Sequence, residues 1–271
     1  MRRWLAGLIV ACAPALATAG DTKLRSLDTL ESGRQWEAVG RLDVDGTGFC
    51  TGALIAPDLV LTAAHCLFDR DTGRRIAPES IEFLAGWRNG RASAYRVVRR
   101  ALTLPDYRFG GAVSSQRVKN DVALLQLRQP IRNTTIMPFS TAPRPEKGDQ
   151  VGVVSYALDR SEVPSLQEVC GVIARQDGIL VMSCDVDFGS SGAPVFSFAN
   201  GEPRIVSVVS AKAEVRGERV ALGSSVEDAL MLLQAELATT LHQFNPPPGA
   251  NRVVVGQLRH DTGAKFIRPI N

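Results

Sequence analysis

Short apolar runs alternating with polar residues, each closed by Gly, Pro, Asn or Asp, recur along this chain and limit the folds open to it. They fall at 37–42, 52–55, 59–62, 80–85, 95–102, 122–127, 150–156, 166–173, 178–182, 193–197 and 205–211. Side chains of a strand point to alternate faces, so Val, Ile, Leu and Thr at period two predict strands rather than helices. Many short strands between turn residues imply an all-β architecture. A polar, proline-bearing stretch at 128–148 divides them into two halves, and a crossing between two barrels is expected there. One helix is well signalled. Ser224 and Glu227 have the spacing of a capping box, and Val226, Leu230, Leu233, Leu237 and Leu241 follow as one apolar stripe before Pro246–Pro248. That stripe is expected to pack on the second barrel. The domain reading is a leader at 1–19, a first barrel within 20–135, a second barrel with the helix within 136–242, and a tail at 243–271. The tail carries one short strand candidate, 252–255.

The leader has the order of an export signal. Arg2 and Arg3 precede a short apolar run, and Ala17-Thr18-Ala19 is a small-x-small cleavage site. Lipidation at Cys12 is the alternative ending. Cleavage after Ala19 removes two arginines and no acid from a formal charge of +3, so no electrostatic case for nucleic acid or an anionic membrane survives. It also removes one of five cysteines, leaving Cys50, Cys66, Cys170 and Cys184. An even set in an exported chain implies disulfides, with neighbours pairing as Cys50–Cys66 and Cys170–Cys184; buried free thiols are the alternative. A zinc site is not expected, because there is no C-x-x-C pair and there are only three histidines. No other metal or cofactor is implied. The expected location is secreted or periplasmic, the expected state a monomer, and no membrane contact is expected after signal cleavage.

Acyl transfer at neutral pH needs a nucleophile, a base held in one tautomer, and donors aimed at the developing oxyanion. His65, directly after the 59–62 run, is the one histidine in the body of the chain; His242 and His260 come late. Ser191 lies in Gly189-Ser190-Ser191-Gly192, where glycines permit a tight turn and the N–H groups of Gly189 and Ser191 can converge on one oxygen. Asp121 opens the apolar run Val122-Ala123-Leu124-Leu125, placed to accept a hydrogen bond from His65. Singly, each has a plain reading: a structural histidine, a β-turn, a turn acid. Together they form a candidate catalytic set.

These segments resemble the trypsin/chymotrypsin superfamily of serine peptidases, in its bacterial exported branch near glutamyl endopeptidase-like members. Phe49-Cys50-Thr51-Gly52 through Thr62-Ala63-Ala64-His65-Cys66 is similar to the histidine region, Asp121-Val122-Ala123-Leu124-Leu125 to the aspartate region, and Gly189-Ser190-Ser191-Gly192-Ala193-Pro194-Val195 to the serine region. The likeness spans roughly 35–240. It implies two perpendicular Greek-key β-barrels with a C-terminal α-helix, a His65–Asp121–Ser191 triad, hydrolysis through an acyl-enzyme, and a protein or peptide substrate. Ser190 stands where animal digestive members carry the aspartate that binds a new N-terminal ammonium, so export cleavage alone, or another contact, is expected to form the oxyanion hole. For specificity the resemblance points to Asp185, at the position of the trypsin pocket acid; where glutamyl members place a pocket histidine this chain has Ser210 and Lys212 and no histidine, and Lys212 reads either as a partner for an acidic side chain or as a solvated lysine. Asp185 also reads as a structural acid beside a disulfide. A catalytically silent binding module on the same fold is the competing function. An α/β-hydrolase is the weaker rival, since its Ser–acid–His order would need His242 as base and parallel βα alternation is missing.

Overall fold

The structure is a computed structural model that describes residues 21–242, apart from Thr47 and Asn200. The expected leader with Cys12, and the tail with His260 and the 252–255 run, lie outside the described residues. A short strand β1 (Arg25–Ser26) and a one-turn helix α1 (Leu30–Gly33) lead into the first barrel. That barrel is β2 (Val39–Val44), β3 (Gly48–Ala56), β4 (Leu59–Thr62), β5 (Ile81–Ala85), β6 (Ala94–Thr103) and β7 (Ala123–Leu127), closed in the order β2-β3-β4-β7-β6-β5. A five-residue helix α2 (Ser115–Lys119) precedes β7.

The second barrel is β8 (Gln150–Ala157), β9 (Arg160–Gln176), β10 (Ile179–Met182), β11 (Pro194–Ser197), β12 (Arg204–Val215) and β13 (Glu218–Ser225). Its order is β8-β9-β10-β13-β12-β11, closed by β11 on β8, with β1 added outside β9. Every strand pairing within the two sheets is antiparallel. Closure removes the free sheet edges that would otherwise recruit other chains. Between β7 and β8 the expected crossing carries no strand beyond the isolated bridge of Thr141 to Ile205.

Alternation explains the interior. In the second barrel Val151, Val153, Val172, Leu180, Met182, Val195 and Val206 form one buried cluster that includes the Cys170–Cys184 bridge. The larger cluster fills the first barrel and runs on to Trp36, Phe139 and Phe196. The 17-residue β9 exceeds the expected 166–173 run at both ends, because its pairing with β8 runs back to Arg160 and its pairing with β10 runs on to Gln176.

The C-terminal helix α3 (Glu227–His242) exists, with two corrections. Ser224 is not its cap: it lies in β13, and its hydroxyl donates to the Val118 carbonyl at 2.5 Å. The first helical bond instead runs from Leu230 N–H to Val226 O, two residues later than the capping box implied. The stripe residues Val226, Leu230, Leu233 and Leu237 are buried as expected, but against β6 and β7 of the first barrel rather than on the second. The chain leaves β13 beside α2 and crosses back, so the helix straps the two halves together. Among the described residues no helix is long and apolar enough to cross a membrane.

Candidate active site

Register explains why His65 and Asp121 meet. β4 and β7 are antiparallel neighbours whose last pair is Thr62 with Ala123. The chain therefore leaves β4 toward His65 at the same end at which it enters β7 from Asp121. His65 sits in a single 3₁₀ turn (Ala64–Leu67), and the Cys50–Cys66 disulfide fastens the next residue to β3. Asp121 is 2% exposed and fully engaged. Its Oδ1 accepts the backbone N–H of His65 at 2.8 Å, and its Oδ2 lies 2.7 Å from His65 Nδ1. Ser210, on a bulge of β12, donates its hydroxyl to the same Oδ2 at 2.5 Å. A carboxylate that receives Nδ1–H leaves Nε2 as the acceptor, which is the tautomer a general base needs.

Ser191 comes from the second barrel and borders the same cleft as the His65 ring, a space of about 380 Å³. Among the described residues no hydrogen bond joins the ring to Ser191 Oγ; in the absence of substrate such catalytic contacts are often long and tighten on binding. The turn around Ser191 depends on two glycines. Gly189 has φ +96°, and a Cβ there would lie 2.4 Å from the Phe49 ring; Gly192 has φ +76°, and a Cβ would meet Thr62 Oγ1 at 2.1 Å. Any side chain would push the serine loop off the first barrel. In this turn Ser190 N–H is tied to Asp187 O and Gly192 N–H to Val209 O. The N–H groups of Gly189 and Ser191 have no protein acceptor among the described residues, so both are free to converge on a substrate oxygen.

Two residues positioning this loop were not singled out from sequence. Thr51 of β3 receives a bond from Tyr156 N–H, donates its hydroxyl to Gly189 O at 2.8 Å, and gives its N–H to Ser191 O at 2.9 Å. It is one of the fastenings between the barrels, and the segment Phe49-Cys50-Thr51 was the available signal. Ser155 of β8 is the other. Ser190 Oγ, fully buried, lies 3.2 Å from both Ser155 Oγ and Tyr156 O and accepts Asp187 N–H. Hydroxyl contacts thus hold the position where an ion pair was not expected.

The three specificity candidates separate. Ser210 spends its hydroxyl on Asp121. Lys212 lies on the Ser191 cleft but pairs with Asp187 at 2.6 Å and stands over the Phe188 ring, 4.3 Å from its centroid. The Lys212 hydrogen bond, then the Phe188 N–H, holds the Asp187 carboxyl below the usual carboxylate range. Asp185 borders a neighbouring cleft with Lys212, Glu214, Glu218 and Arg219, which neither His65 nor Ser191 lines. Cys184 is bridged to Cys170 on β9, and Gln167 Oε1 takes the Asp185 N–H at 2.7 Å, which keeps Asp185 on that side. Both expected disulfides are present. Cys50, Cys66 and His65 cluster closely enough to suggest a metal site, but sulfurs joined in a disulfide offer no thiolate.

Two six-stranded barrels, with a histidine–aspartate pair from one and a glycine-flanked serine from the other on one cleft, define a chymotrypsin-like architecture. The chain belongs to the family of trypsin-like peptidase domains, whose family model matches residues 46–204. It is 31% identical over 182 residues to coagulation factor XII of Rattus norvegicus, covering 59% of this chain and 29% of that protein. It is 27% identical over 150 residues to a glutamyl endopeptidase of Bacillus licheniformis, covering 55% of this chain and 45% of that one. The chain thus spans less than half the length of these curated relatives. A solved structure of a Glu endopeptidase in complex with MPD superposes with a TM-score of 0.64 at 18% identity, over 82% of this chain and 98% of that one. At that identity the match speaks for the fold.

Proposed function

We propose that the chain is an exported serine endopeptidase that works through His65, Asp121 and Ser191. The observation that carries this reading is the His65 Nδ1–Asp121 Oδ2 bond at 2.7 Å on a cleft shared with Ser191. In the reaction, Ser191 Oγ attacks the scissile carbonyl while His65 Nε2 takes its proton. Asp121 holds the ring and stabilises the imidazolium that forms. The N–H groups of Gly189 and Ser191 receive the oxyanion, and a lost donor of this kind typically costs about 10²–10³ in turnover. His65 then gives its proton to the leaving amine, the peptide bond breaks, and a water deacylates Ser191 by the reverse route. The export part of the reading is supported by the leader pattern and by two disulfides, which persist in oxidising compartments.

A fluorophosphonate probe tests the chemistry directly. Covalent labelling of the wild type, abolished in Ser191→Ala and strongly slowed in His65→Gln, is expected. Folded wild type that resists the probe would mean a binding module instead. Fractionation of a producing cell, with the mature N-terminus read by mass spectrometry, tests export; retention of Met1 in soluble cytoplasm would count against it.

A further inference from the structure

Ser155, Ser190 and Tyr156 are wholly buried behind the turn that carries Ser191, and one cation reaches them. Arg160 opens β9 after the two-residue connection 158–159, so it pairs with Ala157 and its guanidinium turns back along the hairpin. Its Nη2 lies 3.3 Å from Ser155 Oγ and its Nη1 3.1 Å from the exposed Asp159 carboxylate, with the Arg160 side chain itself 16% exposed.

The cluster has one workable direction of hydrogen bonding. A guanidinium only donates, whereas a hydroxyl donates once and accepts twice. Ser155 Oγ therefore accepts from Arg160, and among the described residues its own proton has one acceptor, Ser190 Oγ at 3.2 Å. Ser190 Oγ also accepts the Asp187 N–H at 3.3 Å, which fills its acceptor sites and sends its proton to Tyr156 O at 3.2 Å. The order is Arg160, Ser155, Ser190, Tyr156 O. Reversing the Ser155–Ser190 bond would leave the buried Ser155 proton without an acceptor, which folded chains rarely tolerate.

The same turn carries the oxyanion donors. Ser190 N–H closes on Asp187 O at 2.9 Å while Asp187 N–H meets Ser190 Oγ, so Ser190 locks residues 187–190 as one unit. The two free N–H groups, on Gly189 and Ser191, flank that residue. The Arg160 charge reaches the turn as well. It is the last of the influences that lower the Asp187 carboxyl, of which the Lys212 hydrogen bond is the first.

Resting on the peptidase reading above, we infer that Arg160 is a positioning residue for the oxyanion hole: through Ser155 it fixes the Ser190 hydroxyl, and through Ser190 the Gly189 and Ser191 N–H groups. The contact that shapes the hole is thereby supplied within the β8–β9 hairpin of the second barrel.

Steady-state cleavage of a peptide amide by the full chain, per site titrated by a fluorophosphonate, tests this with a double-mutant cycle. Slight displacement of a catalytic group is costly, so Arg160→Met is expected to lower kcat about tenfold with KM within about twofold, short of the roughly 10²–10³ for a donor lost outright. Ser190→Ala should fall about as far, and adding Arg160→Met to it should cost little more, because the relay is already cut. Arg160→Lys keeps a donor for Ser155 and should recover to within about threefold of wild type. A peptide boronic acid, whose tetrahedral adduct on Ser191 places an oxygen in the hole, should weaken by the same factor as kcat. Arg175→Met removes the same charge from the other end of β9 and should leave kcat at the wild-type value. Should Arg160→Met not fold, Ser155→Ala cuts the same relay without removing a charge and carries the same expectation. Wild-type kcat in these variants, losses that multiply in the double variant, or a lysine no better than methionine would overturn the positioning role while leaving the peptidase reading intact. A wild type that neither titrates nor cuts would overturn both.

Discussion

Asp121 accepts three hydrogen bonds while 2% exposed, and that satisfaction is what allows a charge to be buried beside an imidazole. Exchanging it for the isosteric amide tests its role without opening a cavity. In Asp121→Asn the amide would turn an N–H toward Nδ1 and favour the wrong tautomer. Turnover on a peptide substrate should drop about 10⁴-fold, the usual size of this effect in triad enzymes, with the fold unchanged by circular dichroism. A variant within tenfold of wild type would remove Asp121 from the mechanism. Much of this scale was readable beforehand. Gly189-Ser190-Ser191-Gly192, a lone histidine after a strand and an acid before one name a chemistry only when taken together. The partner of Ser210 was not readable, because its hydroxyl meets an acid 89 residues away through a bulge in β12. The surroundings of Asp185 were unreadable for the opposite reason. Its spacing from Ser191 counts residues, whereas its direction is set by Cys170–Cys184 and Gln167.

At the level of elements, the two disulfides close loops of nearly equal size, with separations of 16 and 14 residues, but they brace different things. The chain-entropy model gives about 3 kcal/mol for either loop, so Cys50→Ala/Cys66→Ala and Cys170→Ala/Cys184→Ala should show similar losses in denaturant midpoint. Their kinetics should diverge. Only the first pair fixes the residue after His65, so only its removal should slow turnover per titrated site under conditions where both variants are folded. Equal slowing by both would show that Cys50–Cys66 does not position the histidine. Pairing was legible because neighbours in an even set lie close along the chain. Strands were legible where alternation was clean, as at 59–62, which coincides with β4. β13 was missed: its alternation is interrupted by Gly223, and Ser224 with Glu227 imitates a helix start. The competing signal was local, whereas the ladder that decided the outcome joins β10 and β12 from elsewhere in the chain.

For the molecule as a whole, the question is what keeps two barrels in the relation that the site requires. The crossing and the barrel count could be anticipated from two strand-rich halves. The return of α3 onto β6 and β7 could not, since a stripe reports that a helix face is buried and not what buries it. Tyr156 belongs to the same junction. It lies on β8, is wholly buried, gives its N–H to Thr51 Oγ1 in the first barrel, and donates its hydroxyl to Trp87 O at 2.9 Å. Burial, above all other influences, raises its phenol pKa far beyond the ordinary 10.0, and burial does the same for Tyr107, reinforced by the nearby Asp121 charge. The sign follows from proton affinity. The folded chain keeps protons that the unfolded chain would release, so this contribution is complete below pH 10 and declines as pH rises above it. Alkaline unfolding is therefore expected to set in above about pH 10. The tyrosinate absorbance of two phenols should appear together with loss of circular dichroism, and fluorophosphonate labelling of Ser191 should vanish over the same interval. Ionising Tyr156 requires water between the barrels, and water there is expected to loosen Thr51, which holds the Ser191 loop. Phenols that titrate near pH 10 while labelling persists would show that this junction is open to solvent and that something other than Tyr156 and Thr51 holds the halves in register.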